Sequence, residues 1–86
     1  MDHYLFTARS VTHAQRMAQE LERSGIYVKM RRVGRELTKS GCGYTLQVPE
    51  RRYTQAVDTL RIAGVRPVRV LFVSGGVMHE VAPRSI

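Results

Sequence analysis

The chain has 86 residues, of which 43% are apolar, and this size and composition suit one folded domain while excluding two domains or extended disorder. Its 14 basic and 7 acidic residues leave a net charge of +7, which favours anionic partners such as nucleic acid, phosphorylated molecules or acidic protein surfaces. A single cysteine excludes an internal disulfide and a structural zinc site, and no apolar run reaches the ~20 residues of a membrane helix.

The N-terminal part of the chain predicts a strand followed by a helix. Segment 3–7 is short and rich in aromatic residues, which is typical of a strand. Ser10 or Thr12 can cap the helix that follows, because a hydroxyl oxygen accepts hydrogen bonds from free backbone N–H groups. Apolar residues then recur at three- and four-residue steps over 12–24, and Gly25 suits the left-handed residue that ends a helix.

The middle of the chain predicts two strands joined by a polar loop. Residues 26–33 alternate between apolar and polar side chains, as does segment 44–48, and both patterns indicate half-buried strands. Arg31 and Arg32 are adjacent on the first of these strands, so they face opposite sides of the sheet. The connecting loop covers 34–43.

The C-terminal part predicts a second helix, a fourth strand and a tail. Pro49 suits the first position of a helix, which Gly64 then ends, and segment 65–73 reads as the fourth strand. The tail, 74–86, leaves three alternatives open. It can return as a fifth strand over 77–81, remain a loose end, or add a strand to a neighbouring subunit.

The predicted elements form a duplicated pattern of strand, helix, strand, strand, helix and strand. Segments 21–26 and 60–65 echo each other, since each combines a helix end, a glycine and a β-branched strand start. This repeat predicts an α+β ferredoxin-like sandwich over residues 1–73, in which two helices cover one face of a four-stranded antiparallel sheet. Residues 74–86 form a C-terminal extension.

The 34–43 loop contains Cys42, the residue with the most distinctive chemistry in the chain. Gly41 and Gly43 flank it, supply no side chains to shield the sulfur, and allow a partner backbone to approach closely. Arg35 and Lys39 are near in sequence, and positive charge lowers a cysteine pKa in favour of the thiolate. A cysteine that is buried and inert is the common alternative.

A reactive thiolate at this position would attack an electrophilic sulfur or selenium and carry it as a persulfide or selenosulfide. In that interpretation Arg35 and Lys39 lower the pKa of the thiol or dock an acidic donor. Thr38 or Ser40 donates a hydrogen bond to the bound atom. The partners would be protein donors and acceptors of sulfur or selenium.

His13, in the first turn of the predicted helix, is a weaker candidate. It could serve as a base or an anion contact beside Cys42, but a solvent-facing surface residue is the commoner outcome. His3, His13 and His79 are scattered without metal-ligand spacing, so we predict no metal and no cofactor.

Three sequence segments together resemble a known family. They are Tyr4-Leu5-Phe6 followed by Ser10 to Ala14, Leu21 to Gly25-Ile26, and Arg35 followed by Thr38 and Cys42-Gly43. Over residues 3–73 the chain is similar to the putative selenium/sulfur carrier protein-like family of small bacterial proteins. The resemblance implies a ferredoxin-like fold and a loop cysteine that carries sulfur or selenium. The chain departs from the family pattern at Gly34, where proline commonly precedes the arginine.

Two other function classes remain open. A structural or regulatory module is compatible with the alternating apolar strands, and a homodimer would cover an open sheet face. RNA binding ranks lower: Tyr4, Phe6, Tyr27 and Tyr44 could stack bases, but the glycine- and aromatic-rich run of RNA-recognition modules is missing. The N-terminus lacks the pattern of a signal peptide, so we expect a cytoplasmic protein that does not contact a membrane.

Overall fold

The computed structural model describes residues 2–32 and 44–81, which form an α+β arrangement of two helices and one antiparallel sheet. The strands are β1 (His3–Thr7), β2 (Lys29–Arg32), β3 (Tyr44–Pro49), β4 (Val70–Ser74) and β5 (Val77–Glu80). The helices are α1 (Val11–Arg23) and α2 (Tyr53–Ala63), and a short 3-10 turn, Glu50–Arg52, precedes α2.

The described residues form a sheet of five strands in the order β2-β3-β1-β4-β5, with β1 at its centre. Each neighbouring pair is antiparallel, and Leu5 of β1 lies opposite Gln47 on one side and Leu71 on the other. The sequence predicted the α+β class, the two helices and an antiparallel sheet. The fifth strand resolves the alternatives left open for segment 77–81, because a turn through Gly75 and Gly76 returns it to pair with β4.

The hydrophobic core lies between the helices and one face of the sheet. Phe6 is fully buried and lies opposite Leu46 and Val70, so three adjacent strands contribute to one apolar row. Both helices pack against β3 and against each other. Their buried residues are Ala14, Met17 and Leu21 from α1 and Ala56, Val57 and Leu60 from α2. The three-and-four spacing of apolar residues over 12–24 therefore placed the buried stripe of α1 correctly.

The two helices end in the same way, which explains the repeat seen in the sequence. Gly25 and Gly64 have positive φ angles of 81° and 73°, and these reverse the chain direction. The residue after each glycine then donates its backbone N–H to a carbonyl of the helix. Ile26 donates to the Leu21 carbonyl at 2.9 Å, and Val65 donates to the Leu60 carbonyl at 3.0 Å. These are the hydrogen bonds of a Schellman motif, in which a glycine supplies the left-handed residue.

The same bonds shorten the strands that were predicted to follow each glycine. Because the N–H groups of Ile26 and Val65 bond to helix carbonyls, neither is available to a strand ladder. The second strand therefore starts at Lys29 rather than at residue 26, and the fourth starts at Val70 rather than at residue 65. Ile26 and Val65 nonetheless remain buried in the core.

The predicted start of the second helix at Pro49 is wrong. Pro49 is the last residue of β3, where it lies opposite His3, and its ψ angle of 143° is extended. The 3-10 turn intervenes, so α2 begins at Tyr53. At α1 the prediction is closer, because Ser10 caps the helix by accepting the backbone N–H of His13 at 3.0 Å.

Candidate functional site

Most of the predicted site lies outside the described residues. This applies to Cys42 and to its six predicted neighbours, namely Arg35, Thr38, Lys39, Ser40, Gly41 and Gly43. The described chain stops at Arg32 and resumes at Tyr44, and these two residues lie opposite each other at the paired ends of β2 and β3. The structure therefore defines the positions of the two residues that flank segment 33–43.

The start of α1 lies at the same end of the sheet as these strand ends. The backbone N–H of Ala8 donates to the carbonyl of Tyr44 at 3.2 Å, so the chain leaving β1 runs beside the first residue of β3. Arg9 and Ser10 follow directly and lead into the first turn of α1. Segment 65–69 approaches the same region, because Val68 donates its N–H to the carbonyl of Thr7 at 2.9 Å.

His13 is half-buried at this end rather than facing solvent. Its Nδ1 accepts the backbone N–H of Arg9 at 3.1 Å. Burial lowers the pKa of His13 below its usual value, the positive charges of Arg9 and Arg16 lower it further, and hydrogen bonding to the Arg66 backbone opposes the change. At neutral pH the ring is therefore uncharged, and Nδ1 is occupied as an acceptor, which leaves the proton on Nε2.

A shallow pocket of ≈ 310 Å³ surrounds this histidine. We call it the basic pocket, and its polar lining consists of Arg9, Ser10, Thr12, His13, Arg16 and Arg66. Sequence reasoning selected only His13 and missed the arginines, because residues 9, 16 and 66 are brought together by packing rather than by sequence proximity. Asp and Glu side chains are absent from the described lining.

The open face of the sheet, on the side away from the helices, carries a second shallow cavity of ≈ 360 Å³. Leu5 and Thr45 are buried within this face although no described helix covers it, whereas Arg31 is exposed at its edge. This cavity is therefore lined by a mixture of apolar and polar side chains, and no evident catalytic pair occurs among its described residues.

The aromatic side chains that suggested RNA stacking pack mainly towards the helices. Tyr4 stacks on Tyr53 of α2 with ring centroids 3.8 Å apart, and Phe6 is fully buried. Tyr44 also packs against the core, and Tyr27, at 82% exposure, is the only one of the four sequence candidates that projects freely into solvent. The central strands thus present no aromatic stacking platform on the open face of the described sheet.

Residues 2–32 and 44–81 contain no cluster of three or more histidine, cysteine or acidic side chains able to hold a metal ion. The two helices in this part of the chain are also too short and too polar to cross a membrane.

Comparison with models of protein families finds a match. A family model described as "Putative Se/S carrier protein-like" matches residues 3–71, which is most of the chain and includes the cysteine. No curated protein and no solved structure matches.

Proposed function

The chain belongs to the putative Se/S carrier protein-like family, and from this premise we propose that it carries sulfur or selenium on Cys42, as a persulfide or a selenosulfide. The family match is the observation that carries the proposal. It spans residues 3–71 and so includes the one cysteine in the sequence. A chain with a single thiol has a single place for a covalently bound sulfur or selenium atom.

The described topology supports this proposal, because it defines the start of the strand that follows the cysteine in the chain. Strands β1 to β4 and the two helices follow the order of a ferredoxin-like scaffold, to which β5 adds an edge strand. Cys42 is separated from Tyr44 by Gly43 alone, so chain connectivity holds their Cα atoms within about 7.6 Å of each other. Tyr44, which starts β3, lies beside the chain that leaves β1.

Arginines at that end of the sheet support the proposal that Cys42 acts as a thiolate. Arg32 closes β2 opposite Tyr44, and Arg9 follows Ala8, whose N–H bonds to the Tyr44 carbonyl. Nearby cations favour the ionised form of a thiol and lower its pKa. In the proposal Arg35 and Lys39 add to this effect or dock an acidic donor, and Thr38 or Ser40 donates a hydrogen bond to the carried atom.

The transfer is an exchange that needs no external oxidant. The Cys42 thiolate attacks the outer sulfur of a donor persulfide, R–S–SH. A sulfur–sulfur bond forms at Cys42 while the sulfur–sulfur bond of the donor breaks, and the donor leaves as the thiolate R–S⁻. The proton stays on the transferred atom, which gives Cys42–S–SH. A donor selenosulfide, R–S–SeH, reacts in the same way and gives Cys42–S–SeH.

Intact-mass spectrometry tests the proposal after the protein is exposed to glutathione persulfide or to its selenium analogue. We expect the wild type to gain the mass of one sulfur or one selenium atom, to lose it on treatment with a thiol reductant, and to gain nothing in Cys42→Ala. An unmodified wild type, or equal loading of Cys42→Ala, would rule against a carrier cysteine.

The pH dependence of thiol alkylation tests the role of the charges. Arg35→Gln and Lys39→Gln should each move the midpoint of the rate profile to higher pH, because each removes a positive charge that favours the thiolate. Arg23→Gln is the matched control, since it removes the same charge at the opposite end of α1. Equal shifts in all three variants would indicate a general charge effect instead of a local one.

The partners that this proposal requires are proteins that donate and accept the sulfur or selenium atom. A cytoplasmic location belongs to the same proposal, since a persulfide carrier works through a free thiol that oxidising compartments would convert to a disulfide. A homodimer is a separate expectation, which sedimentation of the purified chain tests directly.

A further inference from the structure

Three arginines of the described residues pair with an acidic side chain, whereas the arginines of the basic pocket do not. The paired arginines are Arg23 with Glu20, Arg61 with Asp58 and Arg69 with Glu80. Within residues 2–32 and 44–81, Arg9, Arg16 and Arg66 form no such ion pair. Three cations share one concave surface there without a neutralising carboxylate, although such a cluster repels itself.

The distribution of the three arginines shows that the cluster is a product of the fold. Arg9 precedes α1, Arg16 lies within it, and Arg66 belongs to the segment between α2 and β4. His13 links these pieces, because it accepts the Arg9 backbone N–H and interacts with the Arg66 backbone. The backbones that carry two of the arginines are therefore held in place before any ligand arrives.

The donors around the pocket suit a phosphate group. A guanidinium presents a planar fork of N–H groups that matches two phosphate oxygens at once. The hydroxyl of Thr12 lines the same pocket. The pocket volume of ≈ 310 Å³ is large enough for a phosphate group with part of the molecule attached to it.

We propose that the basic pocket binds a phosphate group, either as free phosphate or as the terminal group of a phosphomonoester. Arg9, Arg16 and Arg66 supply the positive charge, and Thr12 supplies a neutral hydrogen-bond donor. This inference does not depend on the proposed function, because none of these residues is the acceptor of sulfur or selenium.

NMR titration of the isotope-labelled full chain tests the proposal with inorganic phosphate, with adenosine monophosphate and with acetate, all at constant ionic strength. We expect saturable amide shifts confined to residues 9–16 and 64–66 for the two phosphate compounds, and much weaker shifts for acetate. Arg16→Gln and Arg66→Gln should each raise the dissociation constant about threefold to fivefold, as expected for one exposed charge. Arg23→Gln, the matched control, should leave it unchanged.

The outcomes separate the alternatives. Tighter binding of adenosine monophosphate than of inorganic phosphate would identify a phosphomonoester as the ligand class, and equal binding would identify the free anion. Acetate binding as tight as phosphate would overturn the proposal in favour of an acidic protein side chain. The proposal would also be overturned if Arg23→Gln weakened phosphate binding as much as Arg16→Gln and Arg66→Gln do, or if the amide shifts did not saturate. Either result would indicate a general effect of net charge. All variants retain Cys42, so sulfur loading measured on the same samples reports separately on the carrier function.

Discussion

Thr7→Val should destabilise the protein by removing one hydroxyl that joins two parts of the chain. Thr7 is 2% exposed at the end of β1, and its Oγ1 accepts the backbone N–H of Arg69 at 2.8 Å. The same hydroxyl donates to the Arg69 carbonyl at 3.3 Å. These bonds fix the chain that enters β4 against the strand at the centre of the sheet.

The magnitude follows from which groups lose their partners. The carbonyl of Arg69 keeps the backbone N–H of Thr7 as a donor at 2.9 Å, but the N–H of Arg69 loses its acceptor. One buried N–H without a partner costs about 1–3 kcal/mol, and we expect the lower half of that range because this bond is only partly buried. For a domain of this size, each kcal/mol lowers the melting temperature by roughly 4–8 °C.

Thr45→Val is the matched control, because it makes the same substitution at a buried position on the adjacent strand. The Thr45 hydroxyl donates to the Arg31 carbonyl at 3.5 Å, a long bond whose acceptor belongs to an exposed residue. Its loss should cost less than about 0.5 kcal/mol.

Urea denaturation measures both variants, and hydrogen exchange reports locally on the Arg69 amide. We expect a lower midpoint with an unchanged slope for Thr7→Val, together with faster exchange at Arg69. If Thr45→Val proved as destabilising as Thr7→Val, or if the Arg69 amide kept its protection, the hydroxyl would not be the link that the geometry indicates.

Three further predictions concern the start of α1 and the core. Ser10→Ala should lower the free energy of unfolding by about 1 kcal/mol, because the helix loses the hydrogen bond from the His13 N–H to the Ser10 hydroxyl. Urea denaturation measures this loss. The control, Ser24→Ala at the exposed C-terminal end of the same helix, should lower the free energy of unfolding by less. Tyr53→Phe should leave the melting temperature measured by circular dichroism unchanged or raised, since the buried Tyr53 hydroxyl has no hydrogen-bond partner among the described residues; a clear loss of stability would show that it has one. The pKa of His13, measured by NMR titration, should lie below about 6.5. The unfolded chain then binds a proton more readily than the folded protein, so stability should fall as the pH drops from about 6.5 through the lower folded pKa, and His13→Gln should flatten that part of the profile.

The sequence predicted those parts of the fold that depend on local periodicity. The apolar stripe of α1 and the alternation of the strands each reflect one side of an element turned towards the core, so Met17 and Leu21 could be identified as buried from spacing alone. Strand boundaries were less accurate. The hydrogen bonds of Ile26 and Val65 return to the helices, and a residue pattern does not show where a backbone N–H finds its acceptor.

The candidate sites divide in the same way. Cys42 could be singled out from the sequence because a lone thiol between two glycines, with basic residues nearby, has recognisable chemistry before any folding is considered. The basic pocket could not be identified from the sequence in this way. Arg9 and Arg66 lie 57 positions apart in the sequence. Only the packing of α1 against the chain between α2 and β4 brings them to one surface.

The amino-acid order by itself determined the secondary structure class, the helix ends at Gly25 and Gly64, and the identity of the single thiol. Each of these depends on interactions within a few residues, where side-chain size and backbone freedom act directly. The tertiary structure decided the addition of β5 to the sheet, the half-buried state of His13 and the convergence of unpaired arginines at the start of α1. Those features arise between segments that are distant in sequence, and they exist only once the burial of apolar surface has paired the strands and docked the helices.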